Sequence, residues 1–210
     1  MNHTLWQSCE WSNLRMENDS TLTGYKLVKG WGPERHVYFT AVFSKKLKNL
    51  RFMQDKKPVI YNTSRFRSCY EAWGKNLMAC ISFEAAEGEE IIVKTAVSAV
   101  STAGATLNLQ ELNGMTFDSL REKGVSLWEQ ELAKYQIEAE PEVKEAFYTA
   151  AYRAALHPFV FQDADRQFRG LDKNIERQKV LLTIQFSLYG ILIVLYILGS
   201  IWYIRILMQI

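Results

Sequence analysis

Residues 180–204 contain no charged side chain, and this run constrains what the chain can fold into more than any other feature of the sequence. It reads VLLTIQFSLYGILIVLYILGSIWYI, which is longer than the roughly 20 apolar residues that a helix needs to cross a bilayer. Charged residues are spread through the rest of the chain, as is typical of a water-soluble protein. The run therefore predicts either a hydrophobic, transmembrane-like helix or a peptide translated in the wrong reading frame.

The cations that flank this run would orient it in a membrane. Those before it are Arg166, Arg169, Lys173, Arg177 and Lys179, and the one after it is Arg205. Loops rich in Lys and Arg stay on the cytoplasmic side, so an inserted tail would leave the N-terminal part of the chain in the cytoplasm.

Residues 1–112 have the pattern of a β domain. Five short runs rich in aromatic and β-branched residues predict strands at 25–28, 36–43, 59–61, 78–83 and 90–97. Turn-forming clusters separate them, and short strands at this spacing predict an antiparallel β sandwich. Because side chains alternate along a strand, one face of the second run is the predicted core face: Val37, Phe39, Ala41 and Phe43.

The apolar period becomes helical after residue 112. A first helix is predicted over 117–136, with Thr116 or Asp118 as its N-terminal cap and Gly124 weakening its middle. A second helix is predicted to begin at Pro141 and to end before Pro158. Its apolar face consists of Val143, Phe147, Ala150, Ala151 and Ala154.

Charge and cysteine content exclude several functional classes. The net charge is +2 over 210 residues, so we expect no nucleic-acid partner. Cys9, Cys69 and Cys80 show no C-x-x-C spacing and support neither a disulfide framework nor a zinc site. Residues 1–15 have no apolar core, so we expect no signal peptide in this sequence.

Three blocks of sequence carry a family resemblance. Residues 20–47 read STLTGYKLVKGWGPERHVYFTAVFSKKL, residues 81–109 read ISFEAAEGEEIIVKTAVSAVSTAGATLNL, and residues 147–172 read FYTAAYRAALHPFVFQDADRQFRGLD. In order and spacing they resemble glycoside hydrolase family 92, the calcium-dependent exo-acting α-mannosidases, over residues 20–177. The third block resembles the family's P-x-x-F-x-D-x-D-G-x-Y-R-G-x-D segment, but Arg166 stands where the family usually has Gly.

This resemblance implies a domain organisation. We expect a β-sandwich N-terminal domain over 1–112, a linker helix over 113–138, and the start of an (α/α)6 catalytic barrel over 139–177. Residues 178–210 form the hydrophobic tail.

The resemblance also implies an activity. Family members hydrolyse terminal α-linked mannose with inversion and with calcium, so the implied partner is an N-glycan or another mannose-containing oligosaccharide. The family's catalytic acid, base and calcium ligands come from later parts of the barrel. We therefore predict an inactive fragment that binds no calcium. Family members are usually periplasmic, attached to the cell surface or secreted. The alternatives are a non-catalytic carbohydrate-binding sandwich or an accessory protein tethered to a membrane through residues 180–204.

Four carboxyl groups lie close together near the end of the third block: Asp163, Asp165, Asp172 and Glu176. Glycosidases need two carboxyl groups on opposite sides of the sugar. Aspartates at this spacing also form turns, which is the alternative interpretation.

Three residues are candidates for substrate binding. Arg169 and Asp172 match the family's R-G-x-D motif and offer good partners for vicinal hydroxyls, although a structural Arg–Asp pair would fit the motif equally well. Trp31 is a candidate for stacking on a sugar, or alternatively for packing at the edge of the sandwich. His36 and His157 lack catalytic neighbours in sequence and are expected to be structural.

The tail departs from the family pattern directly after the R-G-x-D block. New codons can be formed over residues 179–198 by joining the last base of each codon to the first two bases of the next codon. For one choice of synonymous codons, this displaced reading frame encodes the peptide GFTNYTIFSLWDTYRALHP. This peptide resembles the family's own continuation. A frame displaced by one nucleotide from about Arg177 onward would therefore account for the apolar run.

Overall fold

The computed structural model describes residues 7–30, 34–60, 70–156, 159–170, 172–178 and 183–184. Strands make up its first half. Helices and short strand pairs follow from Thr102 onward, so the change of architecture comes earlier than the change of period near residue 112.

The first eight strands form two antiparallel sheets. The larger sheet has the order β6-β1-β2-β3-β8 and the smaller has the order β5-β4-β7. The strands are β1 Gln7–Asn18, β2 Thr21–Gly30, β3 Arg35–Phe43, β4 Asn49–Gln54, β5 Lys57–Pro58, β6 Glu71–Gly74, β7 Leu77–Ser82 and β8 Val93–Ser98.

The two sheets pack face to face through one apolar core. The larger sheet contributes Met16, Leu22, Ala41, Phe43 and Ala72, and the smaller sheet contributes Phe52, Ala79 and Ile81. The predicted antiparallel sheets are therefore confirmed. The predicted core face of β3 is confirmed for Ala41 and Phe43. Phe39 packs against the same core, whereas Val37 is only half-buried.

The opposite face of β3 is also covered, which the sequence pattern did not indicate. Thr40 is 0% exposed, and its hydroxyl lies 2.9 Å from that of Thr106 in a helix above the sheet. This helix, α1 Thr102–Leu109, crosses β3 and β8 on the outer face of the larger sheet. It follows β8 directly and continues into a 3-10 turn at Gln110–Leu112.

The two longer helices are close to their predicted positions: α2 spans Phe117–Leu132 and α3 spans Pro141–Ala155. Thr116 caps α2, because its side chain accepts a hydrogen bond from the Ser119 amide and the Ser119 hydroxyl bonds back to the Thr116 amide. The predicted start of the second helix at Pro141 is confirmed.

These helices pack mainly on each other. Trp128 lies 4.4 Å from Tyr152 between ring centroids, and the Tyr148 hydroxyl donates to the Tyr135 carbonyl at 2.9 Å. Neither α2 nor α3 contains a buried residue, and Val143 on the predicted apolar face is 56% exposed. Among the described residues that face is therefore not part of the core.

The strand predictions need correction in two ways: the strand predicted at 59–61 is displaced, and β1, β4 and β6 were not predicted. Val59 and Ile60 lie outside any strand, because a turn with positive φ at Asp55 and Lys56 folds β5 back two residues earlier; Tyr61, the last residue of that predicted strand, lies outside the described residues. Strand β1 was not predicted, since its sequence QSCEWSNLRMEN is mostly polar. It forms because β2 and β6 pair with it on both sides.

Short strand pairs follow α3. β9 Phe159–Val160 pairs with β12 Thr183–Ile184, and β10 Gln167–Arg169 pairs with β11 Ile175–Arg177. The predicted hydrophobic helix is therefore wrong at Thr183 and Ile184, and the rest of the apolar run lies outside the described residues. Within the described ranges, no helix is both long and apolar enough to cross a membrane.

Candidate functional site

Asp163 lies between β9 and β10 and is only 6% exposed. Its Oδ2 accepts a hydrogen bond from the Ser98 hydroxyl at 2.6 Å, and its Oδ1 accepts one from the Asn108 amide at 2.8 Å. A buried carboxyl group destabilises a fold unless it is hydrogen-bonded, and these two bonds satisfy it. We call Asp163, Ser98 and Asn108 the junction cluster.

The partners of Asp163 are themselves held in place by the backbone. The Ser98 hydroxyl accepts from the amide of Val100 at 2.8 Å, which fixes the chain as it leaves β8. The Asn108 side chain donates to the Val97 carbonyl at 2.9 Å and accepts from the Ala164 amide at 2.7 Å. The junction cluster therefore joins β8, α1 and the segment that leads into β10.

Gly104 allows this close approach. An added Cβ at Gly104 would lie 2.3 Å from Asp163 Oδ2 and 2.8 Å from Ser98 Oγ, both shorter than any normal contact. Ser101 caps α1 by accepting from the Gly104 amide at 3.0 Å. The first turn of α1 thus places Gly104 directly against the carboxyl group of Asp163.

Arg169 binds backbone carbonyls. Its Nε donates to Ala99 at 2.9 Å, its Nη2 to Val100 at 3.1 Å and its Nη1 to Lys173 at 3.0 Å. The alternative of a structural Arg169–Asp172 pair is therefore wrong. The guanidinium instead fastens β10 to the chain between β8 and α1, close to the junction cluster.

Asp172 lies exposed in the turn between β10 and β11. Its Oδ1 accepts from the Asn174 backbone amide at 3.1 Å and its Oδ2 from the Asn174 side chain at 2.7 Å. A Cβ at Gly170 would lie 2.4 Å from Asp172 Oδ1, so the Gly of the R-G-x-D motif permits the turn. The turn-forming interpretation is confirmed for Asp172, while its exposure leaves it accessible to a ligand.

The remaining carboxyl groups do not form a facing pair. The Asp165 carboxyl accepts from both the amide and the side chain of Gln167, and Glu176 is exposed on β11. In the part of the chain that the structure describes, no group of three or more His, Cys, Asp or Glu could hold a metal ion. No described residue is therefore assigned to the calcium that the family resemblance implies.

His36 links β3 to the turn that carries Asp172. Its Nε2 lies 3.4 Å from Glu34 Oε1, and Lys173 Nζ lies 3.8 Å from the same oxygen. Burial lowers the pKa of His36, and the nearby Arg169 guanidinium acts in the same direction. The Glu34 carboxylate acts in the opposite direction without reversing the shift.

A row of aromatic side chains crosses the larger sheet on the face opposite the core. The ring of Tyr25 lies 5.9 Å from that of Trp73 and 5.6 Å from that of Tyr38. Tyr38 in turn stacks on His36 at 6.2 Å. We call Trp73, Tyr25 and Tyr38 the outer aromatic row. Burial raises the pKa of Tyr25, with further contributions from Tyr38 and Glu71, so its hydroxyl stays protonated.

The structure brings together two of the three predicted substrate-binding residues. Arg169 and Asp172 lie on the same short hairpin. Trp31 and the predicted structural residue His157 lie outside the described residues. Sequence reasoning did not find the junction cluster. A signal was present in the second family-like block, whose S-A-V-S run contains Ser98 and Ser101.

Family models match almost the whole chain. The model of the glycosyl hydrolase family 92 N-terminal domain matches residues 1–98, and that of the family 92 catalytic domain matches residues 104–203. The short interval between the two matches falls where Arg169 binds the backbone carbonyls of Ala99 and Val100.

Solved structures give the same result. The chain is 72% identical to the family GH92 α-mannosidase BT3965 from Bacteroides thetaiotaomicron, with a TM-score of 0.83, and the match covers 90% of this chain and 26% of that one. A complex of BT3965 with mannoimidazole matches at the same identity and TM-score, covering 90% of this chain and 25% of that one. The inverting GH92 mannosidase BT2199 from the same organism is 17% identical with a TM-score of 0.69 over 83% of this chain and 24% of that one, which shows the fold alone.

The chain therefore spans about a quarter of the length of the structures that it matches. A search of curated proteins gave no match.

Two glycines offer a matched test of the junction cluster. We expect Gly104→Ala to destabilise the protein by several kcal/mol, because its Cβ would force Asp163 and Ser98 apart in a buried site. The control is Gly124→Ala in α2, where nothing lies within 4 Å and helix propensity favours Ala by about 1 kcal/mol. Urea denaturation measures both. Equal stability of the two variants would contradict the role of Gly104.

The departure from the family motif at Arg166 has a measurable consequence. Arg166 has a φ of 68°, a left-handed conformation that favours Gly, the residue usual in the family. We expect Arg166→Gly to stabilise the protein by about 1 kcal/mol. Arg166→Ala also removes the side chain but keeps a Cβ, so comparing the two variants isolates the backbone term. A Gly variant no more stable than the Ala variant would contradict this account.

Proposed function

The chain belongs to glycosyl hydrolase family 92, and we propose that it forms part of an exo-acting α-mannosidase that removes terminal α-linked mannose. The observation that carries this proposal is the 72% identity to a family α-mannosidase over 90% of this chain. A relative of this kind in complex with mannoimidazole supports a mannose-containing substrate, such as an N-glycan or another oligosaccharide. We expect such an enzyme to act in the periplasm, on the cell surface or outside the cell.

The proposed chemistry is inverting hydrolysis supported by calcium. It requires a general acid on one side of the glycosidic bond and a general base, with its water, on the other. The three aspartates of the third block do not fit these roles, because Asp163 is buried and satisfied by Ser98 and Asn108. Asp165 and Asp172 are each bonded to a residue two positions later. We therefore propose that the 210-residue chain does not hydrolyse mannosides by itself.

Substrate contact is the role that we propose for the R-G-x-D hairpin. Asp172 is exposed, and each of its oxygens has lone pairs left to accept from sugar hydroxyls. Arg169 positions this hairpin, because three of its N–H groups donate to the backbone carbonyls of Ala99, Val100 and Lys173. Trp31, which lies between two glycines in the sequence, is proposed to stack on the sugar.

Hydrolysis is tested with α-1,2-linked mannobiose as substrate. The purified chain should release no mannose above the buffer control, with or without calcium, because Asp163, Asp165 and Asp172 are each engaged in hydrogen bonds within the fold. Reproducible turnover would contradict the proposed inactivity. Comparing any such turnover with that of Asp172→Asn would then show whether Asp172 contacts the sugar.

We also propose that the tail from about Arg177 is read one nucleotide out of frame. The support is the family-like peptide that a displaced frame can give over residues 179–198, whereas the catalytic-domain match to residue 203 is made in the frame as given and does not support a displacement. The encoding DNA should give GFTNYTIFSLWDTYRALHP when codons 179–198 are read in the displaced frame. Any unrelated peptide in that frame would refute the proposal and leave a hydrophobic tail in its own right.

A further inference from the structure

The outer aromatic row crosses four neighbouring strands at one level of the sheet. Residue Trp73 pairs with Asn13, Asn13 with Tyr25, and Tyr25 with Tyr38. Paired residues of antiparallel strands point to the same face, which places all four side chains on the outer side of the sandwich. Strands lie about 4.8 Å apart, so the row is about 14 Å long.

The three rings are held by contacts with one another, and the one at the end of the row is exposed. Each ring of the row touches the next, and Trp73 at one end is 52% exposed. Between Trp73 and Tyr25, the buried Asn13 side chain donates to Glu71 Oε1 at 2.9 Å and to the Ala72 carbonyl at 3.3 Å. Aromatic side chains that are already ordered bind a ligand with little further loss of conformational entropy.

Polar groups border the row. The adjacent line of paired residues on the same face contains Glu71, Arg15 and Thr23. Charged residues are depleted from the cores of protein–protein interfaces, so a carboxylate and a guanidinium directly beside the rings argue against a protein partner. Rings that offer a flat apolar surface, next to groups that bind hydroxyls, match the two kinds of surface on a pyranose.

The row leads toward the proposed substrate hairpin. At its inner end Tyr38 stacks on His36, whose partner Glu34 is shared with Lys173, the neighbour of Asp172. A chain of side-chain contacts therefore connects the exposed indole of Trp73 with Lys173 in the turn that carries the R-G-x-D motif.

We propose that the outer aromatic row binds a mannose-containing oligosaccharide laid across the larger sheet, with one end directed toward Asp172. This inference rests on the proposed function for the class of sugar. The row itself is inferred from the described contacts, and it provides binding without hydrolysis.

Calorimetry with α-1,2-linked mannotriose tests the site in the full chain. We expect saturable binding in the millimolar range. Trp73→Ala should weaken it at least tenfold, whereas Trp73→Phe, which keeps an aromatic ring, should weaken it only two- to threefold. Trp128→Phe is the matched control, because Trp128 contacts Tyr152 between the helices, and it should bind like the wild type. Far-ultraviolet circular dichroism checks that each variant is folded.

Three results would distinguish the alternatives. No saturable heat with mannotriose, or unchanged affinity in both Trp73 variants, overturns the row as a sugar site. Self-association that is lost in Trp73→Ala, without sugar binding, also overturns it and identifies a protein-binding surface. Binding that depends on Trp73 but is equally strong for cellotriose supports the row and contradicts the proposed preference for mannose, which separates failure of the function from failure of the site.

Discussion

A single buried carboxyl group connects the two parts of the fold. Asp163 lies far from β8 and α1 in sequence, yet it accepts hydrogen bonds from Ser98 and Asn108 in those elements. Hydrogen bonds alone stabilise the buried carboxylate of Asp163, since no ion pair to it is found among the described residues. Removing any one donor would leave a buried acceptor unsatisfied, which costs more than the bond itself contributes. The position of the R-G-x-D hairpin relative to β8 and α1 therefore depends on this group.

Arg169 adds a second connection at the same place. Because it donates to the carbonyls of Ala99 and Val100, it satisfies backbone groups where the chain leaves the sheet and before α1 begins. The family models meet at this interval as well. The boundary between the two matched domains is thus held by the hydrogen bonds from Arg169 to Ala99 and Val100. A mutation there would disturb both domains.

The sequence predicted the parts of the fold that depend on local pattern. Alternation identified the core face of β3, and cap and proline signals identified the starts of α2 and α3. The sequence did not predict the elements whose formation depends on contacts with residues far away in the chain. Strand β1 is polar and depends on two ladder partners, and α1 is short, contains Gly104 and lacks a clear apolar face. Arg169 and Asp172 were recognised from the motif, but their separate hydrogen-bond partners could not be, because Ala99 and Val100 lie far away in sequence. The outer aromatic row also depends on strand register, which pattern alone does not give.

The aromatic contacts between α2 and α3 have a consequence for how the molecule opens. The sheets share a buried core, whereas the two helices bury no residue and touch mainly through pairs such as Trp128 with Tyr152. Local stability follows buried apolar contact, so the helical pair can separate and unwind while the sandwich stays intact. We therefore expect the chain to open as two cooperative units. Backbone amides in α2 and α3 should then exchange with solvent through this partial opening, and those in the centre of the larger sheet only when the whole domain unfolds.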